Sequence, residues 1–358
     1  MIQGHGGNIH EWAKKLNCSV NQIIDMSSNI NPLGSPPQLL DYLKTHLSQI
    51  HYLPEVDSQS LIRAFAALFD KHTDQVACGT GTTEFIYLLP EILKSKKALI
   101  FGPTYADYAD ACIRYDVHVD YIFGKVAKSF QPTLNKNLLE EVDTVFICNP
   151  NNPTGHFIPY NQLKNWCKSY PDVRFIIDES YLYFLPEYDY ETMIRCGLPN
   201  VIVLSSFSKI FAIPGLRLGF IVANPEIIQQ FRKIEKPWNI NIIAQLAAGF
   251  IFDNMLAVQN HIEKTAELIQ AEKKYFETSL EKHEGIKTFG DFVPFMIIEL
   301  PEQFKAEKLC AYMIEKKYLI RNCANFAGLN GQFIRIAYRG RNENKKALDL
   351  IVKFLKQN

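Results

Sequence analysis

The chain has 358 residues, 47% of them hydrophobic and 12% aromatic, enough apolar material for a sizeable core and for roughly two domains at ~150 residues each. Lys plus Arg number 38 and so do Asp plus Glu, so the formal charge is zero, which argues against a broad nucleic-acid footprint. Nothing approaches the ~18 consecutive apolar residues of a membrane span, the start MIQGHGGNIHEW lacks the marks of a secretory leader, and the eight cysteines show neither CxxC nor zinc-ligand spacing; the expectations are reduced thiols, no metal, no nucleic acid, no membrane and a cytoplasmic location.

In chain order, Gly4-His5-Gly6-Gly7-Asn8 precedes a helix, and Asp25-Met26-Ser27-Ser28-Asn29-Ile30-Asn31-Pro32-Leu33-Gly34 follows it. A histidine with small residues at a helix start suits an anion, or is an arm with incidental glycines. Gly79-Thr80-Gly81-Thr82-Thr83 opens a helix over 82–89. That turn is either an anion cradle of backbone amides or an ordinary capped turn. It is no dinucleotide fingerprint, because Glu84 stands where the third glycine would be.

Short apolar runs follow at 98–101, 142–148, 174–178, 201–205 and 218–222, each bounded by turn or helix signals. Strands alternating with helices predict an α/β fold with a sheet covered on both faces. From about Pro237 the pattern changes to long helices over 243–282, then strands within 288–300 and 333–338 between helices, a smaller α+β domain. The expected division is an N-terminal arm and part of the small domain at 1–45, a large domain at 46–240 and the small domain at 241–358.

In an open α/β sheet, ligands bind beyond the carboxyl ends of the strands. There stand Asn149-Pro150-Asn151-Asn152-Pro153-Thr154-Gly155, which as a bare turn needs no function, and Asp178, either a helix cap or the partner of a buried cation. The segment 205–219 sets Lys209 among hydroxyls and apolar residues, with Arg217 eight positions on. A desolvated lysine there would be nucleophilic. The alternation of Phe333-Ile334-Arg335-Ile336-Ala337-Tyr338-Arg339 puts Arg335 and Arg339 on one face. A lysine for an imine, an acid for a pyridinium and an anion cradle with arginine are what pyridoxal 5'-phosphate (PLP) needs.

Pro103-Thr104-Tyr105, the 149–155 turn, Asp178-Glu179-Ser180-Tyr181, Ser206-Phe207-Ser208-Lys209 and Gly215-Leu216-Arg217-Leu218-Gly219-Phe220 occur in the order found in fold-type I PLP enzymes. The chain resembles this aspartate aminotransferase superfamily over essentially its whole length. The resemblance implies a large domain with a mostly parallel seven-stranded sheet that binds PLP. It makes Lys209 the covalent anchor and proton carrier, and Asp178 the partner of the ring nitrogen. Asn152 and Tyr181 would bond the ring hydroxyl and Tyr105 would stack on the ring. Gly81, Thr82, Ser206, Ser208 and Arg217 would hold the cofactor phosphate. Tyr52 would reach the phosphate of the neighbouring subunit in a homodimer with composite sites, although Leu53 interrupts the usual Tyr-Pro.

The Gly4–Asn8 arm, the 27–34 segment, Pro237-Trp238-Asn239-Ile240-Asn241 and the stretch 321–329 resemble the threonine-phosphate decarboxylases of the cobalamin pathway. That resemblance implies decarboxylation of a phosphorylated amino-acid substrate. L-threonine O-3-phosphate would give (R)-1-aminopropan-2-yl phosphate, and L-serine O-phosphate would give ethanolamine phosphate. Arg335 would bind the carboxylate, His5, Asn31, Arg321 and Arg339 are the candidates to help bind the substrate phosphate, and Asn152 would also contact the substrate. Histidinol-phosphate aminotransferase shares the core and is the alternative. The choice between the reactions rests on which Cα bond stands perpendicular to the cofactor ring, a choice that binding energy in a remote phosphate can fix.

Overall fold

The computed structural model describes residues 6–134 and 136–357. In chain order its strands are β1 (Ile24–Asp25), β2 (Val76–Gly79), β3 (Lys97–Gly102), β4 (His118–Phe123), β5 (Thr144–Cys148), β6 (Arg174–Asp178), β7 (Val201–Ser206), β8 (Gly219–Val222), β9 (Lys287–Phe289), β10 (Phe295–Glu299), β11 (Tyr318–Leu319), β12 (Arg321–Asn322) and β13 (Phe333–Ala337).

Seven strands form one sheet in the order β2-β8-β7-β6-β5-β3-β4. It is parallel from β7 to β4, whereas β8 runs antiparallel to both of its neighbours. Apart from partly buried Arg174 at the start of β6, the central strands β5, β6 and β7 are buried, as strands covered by helices on both faces must be. The edge strand β4 escapes the search for apolar runs because its outer positions are half exposed and include His118 and Asp120. Two connections matter for function. The β7–β8 link carries Lys209 and Arg217 in one antiparallel turn, and Cys148 at the end of β5 pairs with Asp178 at the end of β6.

The second sheet, β12-β13-β10-β9, is antiparallel. The N-terminal segment packs with this part of the chain: β1 pairs in parallel with β11, and the helix Ile9–Lys15 buries Ala13 with Ile23, Ile314 and Leu319. The long helical stretch is two helices, Ile242–Asp253 and Met255–Leu280, meeting at 91°. Asn254 makes the break, its side-chain amide donating to the Phe250 carbonyl at 2.8 Å. Among the described residues no single helix is long and apolar enough to cross a membrane.

The loop after β4 ties the two sheets together. Phe130 is buried with Ile297 and Phe333 of the smaller sheet and with Cys323 and Phe326 of the loop between β12 and β13, its ring edge-on to Phe289 at 5.0 Å.

Candidate active site

A cleft of about 290 Å³ opens beyond the carboxyl ends of the large sheet. It gathers residues spread from Gly6 to Arg335. At its floor Asp178 ends β6, fully buried. Its carboxylate accepts the Ser180 amide at 2.9 Å and the Tyr108 hydroxyl at 2.8 Å. Burial raises its pKa; these bonds and the charge of Lys209 oppose the rise.

Lys209 follows β7 and lines the cleft. Burial, then the nearby charges of Arg217 and Arg335, lower its pKa to about 8, with Asp178 and Asp25 opposing. A sizeable fraction of the amine is therefore neutral near physiological pH, as a nucleophile requires.

Gly81, Thr82, Ser206, Ser208 and Arg217 meet in the same cleft. The helix Thr82–Ile92 starts from Gly81 at φ 83 and ψ 166, with no side chain capping it. A helix N-terminus left open to a cavity is an anion site. Packing makes the cradle close-fitting: a Cβ on Gly81 would lie 2.6 Å from the Arg217 guanidinium, and one on Gly219 would lie 2.5 Å from the Thr82 amide nitrogen.

Tyr105, Asn152 and Tyr181 also line the cleft. The Tyr181 hydroxyl accepts from the Asn29 amide at 3.0 Å, which leaves its own proton to donate. Arg335, buried on β13, donates to Asn152 Oδ1 and, at 2.7 Å, to the Ser27 carbonyl, while its Nε has no hydrogen-bond partner among the described residues. Burial lowers its pKa. Arg321 lies directly opposite Arg335 across the β12–β13 pair, and both side chains enter the cleft. Its guanidinium donates to Asn325 at 2.7 Å and rests 5.3 Å from the Phe326 ring centre.

Three predicted residues stand elsewhere, and a fourth lies outside the described residues. Asn31 does not line the cleft; its amide is spent on the Ile210 carbonyl and the Thr265 hydroxyl. Arg339 lies past the end of β13, where the face-sharing period no longer holds, and its guanidinium donates to the Tyr338 and Ser28 carbonyls at 2.6 and 2.8 Å. Neither lines the cleft among the described residues. Tyr52 is 72% exposed and outside its own chain's cleft. His5 lies outside the described residues; Gly6 beside it lines the cleft.

Tyr108, Ser180 and Asn29 were missed as site residues. Tyr108 follows Tyr105 by three residues, a local hint, but its contact with Asp178 joins residues 70 apart. Asn29 sits two places before Asn31 in the same motif, and nothing in the sequence says which of the two faces the cleft.

Residues 21–351 match the family model described as aminotransferase class I and II. The threonine-phosphate decarboxylase of Salmonella typhimurium is 30% identical, over 96% of this chain and 94% of that one. The adenosylcobalamin biosynthesis bifunctional protein CobDQ of Leptospira interrogans is also 30% identical, over 96% of this chain, which spans only 40% of that longer protein. Two crystal structures superpose with a TM-score of 0.83 and full coverage of their chains: the L-threonine-O-3-phosphate decarboxylase of Porphyromonas gingivalis, 27% identical, and the histidinol-phosphate aminotransferase of Clostridium acetobutylicum, 28% identical, each over 94% of this chain.

Proposed function

The chain belongs to the class I and II aminotransferase family, and from that membership we propose that it is a PLP-dependent carboxy-lyase acting on an O-phosphorylated amino acid. L-Threonine O-3-phosphate is the leading substrate and L-serine O-phosphate the variant. The product, an amino-alcohol phosphate, would suit the nucleotide loop of a cobamide.

The residues fit the cofactor. An uncapped helix start, the hydroxyls of Ser206 and Ser208 and the guanidinium of Arg217 suit a phosphate. A buried carboxylate suits a protonated ring nitrogen, and a lysine with a pKa near 8 suits an aldehyde. PLP bound there supplies an electron sink for the pair left when a bond to Cα breaks. Asp178 would keep the ring nitrogen protonated, held in line by Tyr108 and Ser180. Tyr181 and Asn152 would set the tilt of the ring through its hydroxyl. Arg335 would grip the substrate carboxylate and hold it out of the ring plane, the orientation that favours loss of CO2. Lys209 would then deliver a proton to Cα.

The observation that carries the substrate class is the cross-strand pair Arg321–Arg335. Like charges directly opposite each other cost stability. They are tolerable where two anionic groups arrive between them and the cofactor, and a phosphorylated amino acid brings both a carboxylate and a phosphate. Histidinol phosphate has no carboxylate, but an aminotransferase must also bind an amino-acid donor, so the aminotransferase stays the second reading on the strength of its equal structural match.

The chain would work as a homodimer. Leu47, Ile50, Tyr52, Leu53 and Val56 are exposed, and Trp238, also exposed, donates its backbone amide to Val56 at 2.9 Å. A second copy covering this apolar surface would bring Tyr52 to the neighbouring phosphate cradle.

The test is direct. Holoenzyme given O-phospho-L-threonine or O-phospho-L-serine should release CO2 and an amino-alcohol phosphate. If histidinol phosphate with 2-oxoglutarate yields glutamate and neither phosphoamino acid yields CO2, the lyase reading is wrong. One methyl separates the two substrates and is worth only ~1–3 kcal/mol in a pocket, so both should react.

A further inference from the structure

Asn31 does not line the cleft, yet it sits where several parts of the site are tied together. The turn 25–34 is knotted at its start by Asp25, whose carboxylate takes the amides and hydroxyls of Ser27 and Ser28 at 2.7–3.2 Å. That leaves the Ser27 carbonyl to hold Arg335 and the Ser28 carbonyl to hold Arg339. The next residue, Asn29, holds the Tyr181 hydroxyl.

Asn31 then attaches this turn to the lysine. Its backbone amide donates to the Lys209 carbonyl at 3.0 Å. Its side-chain nitrogen donates to the Ile210 carbonyl at 2.6 Å and to the Thr265 hydroxyl at 2.9 Å, and its Oδ1 accepts the Leu33 amide at 2.8 Å. Both side-chain hydrogens are thereby used. His261 Nε2, 3.3 Å from that nitrogen and 3.1 Å from the Gly34 carbonyl, must carry its own proton and donate it to Gly34. The long helix that holds Thr265 and His261 is thus bonded through Asn31 to the backbone of the lysine loop.

We propose that Asn31 is a positioning residue: it pins the Lys209–Ile210 backbone to the same turn that orients Tyr181 and Arg335, and so fixes the direction from which the Lys209 amine meets the reacting carbon. The proposal rests on the PLP-enzyme reading above but not on the identity of the substrate. Its bonds are buried, they end on two successive carbonyls of the lysine loop, and they join elements more than 170 residues apart in sequence.

The test uses Asn31→Ala and Asn31→Asp holoenzymes. Asn31→Asp keeps the acceptor for Leu33 but turns an oxygen toward the Ile210 carbonyl, so it should not rescue. Both should lose at least about tenfold in kcat, since misplacement by about an ångström can cost far more, with KM within about twofold of wild type. The pH midpoint of the visible absorbance of bound PLP, read without substrate, should move by about half a unit or more as Lys209 shifts against Arg217 and Arg335. A raised KM with kcat intact would return Asn31 to the substrate site. A lower melting temperature with kcat and the midpoint unchanged would make it merely structural. Either result overturns the proposal. Should neither variant fold, Thr265→Val, which cuts only the helix-side anchor, should lower kcat and move the midpoint in the same sense by less, and no effect there also overturns it. If no tested amino acid reacts, the substrate reading fails, while the absorbance midpoint still decides the role of Asn31.

Discussion

Replacing Gly81 by alanine tests the cradle at its tightest point. Gly81 adopts φ 83 and ψ 166, a region nearly closed to residues with a Cβ, where alanine costs about 1–3 kcal/mol. The new methyl would also stand 2.6 Å from the Arg217 guanidinium, well inside contact distance, so Arg217 must swing away. Losing a charge-assisted bond to the cofactor phosphate costs about 1.5–3 kcal/mol, or about ten- to hundredfold in affinity. The assay is titration of cofactor-stripped protein with PLP, followed by visible absorbance. If the loss runs through Arg217, the two substitutions should not add: in an Arg217→Ala background, Gly81→Ala should weaken PLP binding only slightly further. Full affinity in Gly81→Ala, or strict additivity with Arg217→Ala, would refute it.

Other expectations follow from the same geometry. Lys209, with a pKa of about 8, should capture PLP in stripped protein at a rate that rises about tenfold per pH unit and levels off above that value, measured by reductive trapping; a rate still climbing at pH 10 would remove the depressed pKa. Because its folded pKa lies below the unfolded one, the unfolded chain holds the extra proton between about pH 8 and the ordinary lysine range, so stripped protein should gain stability as pH rises through that window, and denaturant melts of Lys209→Met should lack that increment. Arg321→Gln should raise KM for a phosphoamino acid by about tenfold or more through loss of a charged contact, while relief of the repulsion with Arg335 slightly raises the melting temperature of stripped protein. Phe130→Ala should cost about 3–5 kcal/mol in denaturant unfolding, because it empties the cluster joining the two sheets.

What the sequence made legible was whatever is local. The buried parallel strands read as apolar runs, and Asp178, Lys209 and Arg217, picked out from the sequence order alone, line one cleft at the end of that sheet. The half-exposed edge strand β4 and the two-residue strands β1, β11 and β12 carry too little pattern to see. Among the candidate residues, the differences between expected and observed placement share one cause. Whether Asn29 or Asn31 enters the cleft depends on the conformation of the turn, and that is set by Asp25 and by the lysine loop far along the chain. Arg339 shares a face with Arg335 only while the strand lasts, and β13 ends at Ala337. Tyr108 needs the tertiary fold to meet Asp178.

The pairing of β1 with β11 has a bearing on how the enzyme is made. Residues emerging first from the ribosome, Ile24 and Asp25, must wait for Tyr318 and Leu319 before they acquire a partner strand. The large sheet can condense meanwhile, since its strands lie between Val76 and Val222. A nascent chain therefore carries Lys209 long before it carries Arg335, which stands on β13. Contacts of such sequence separation form late and slowly, so the β1–β11 pair joins the two ends of the chain only after the strands of the large sheet have been made.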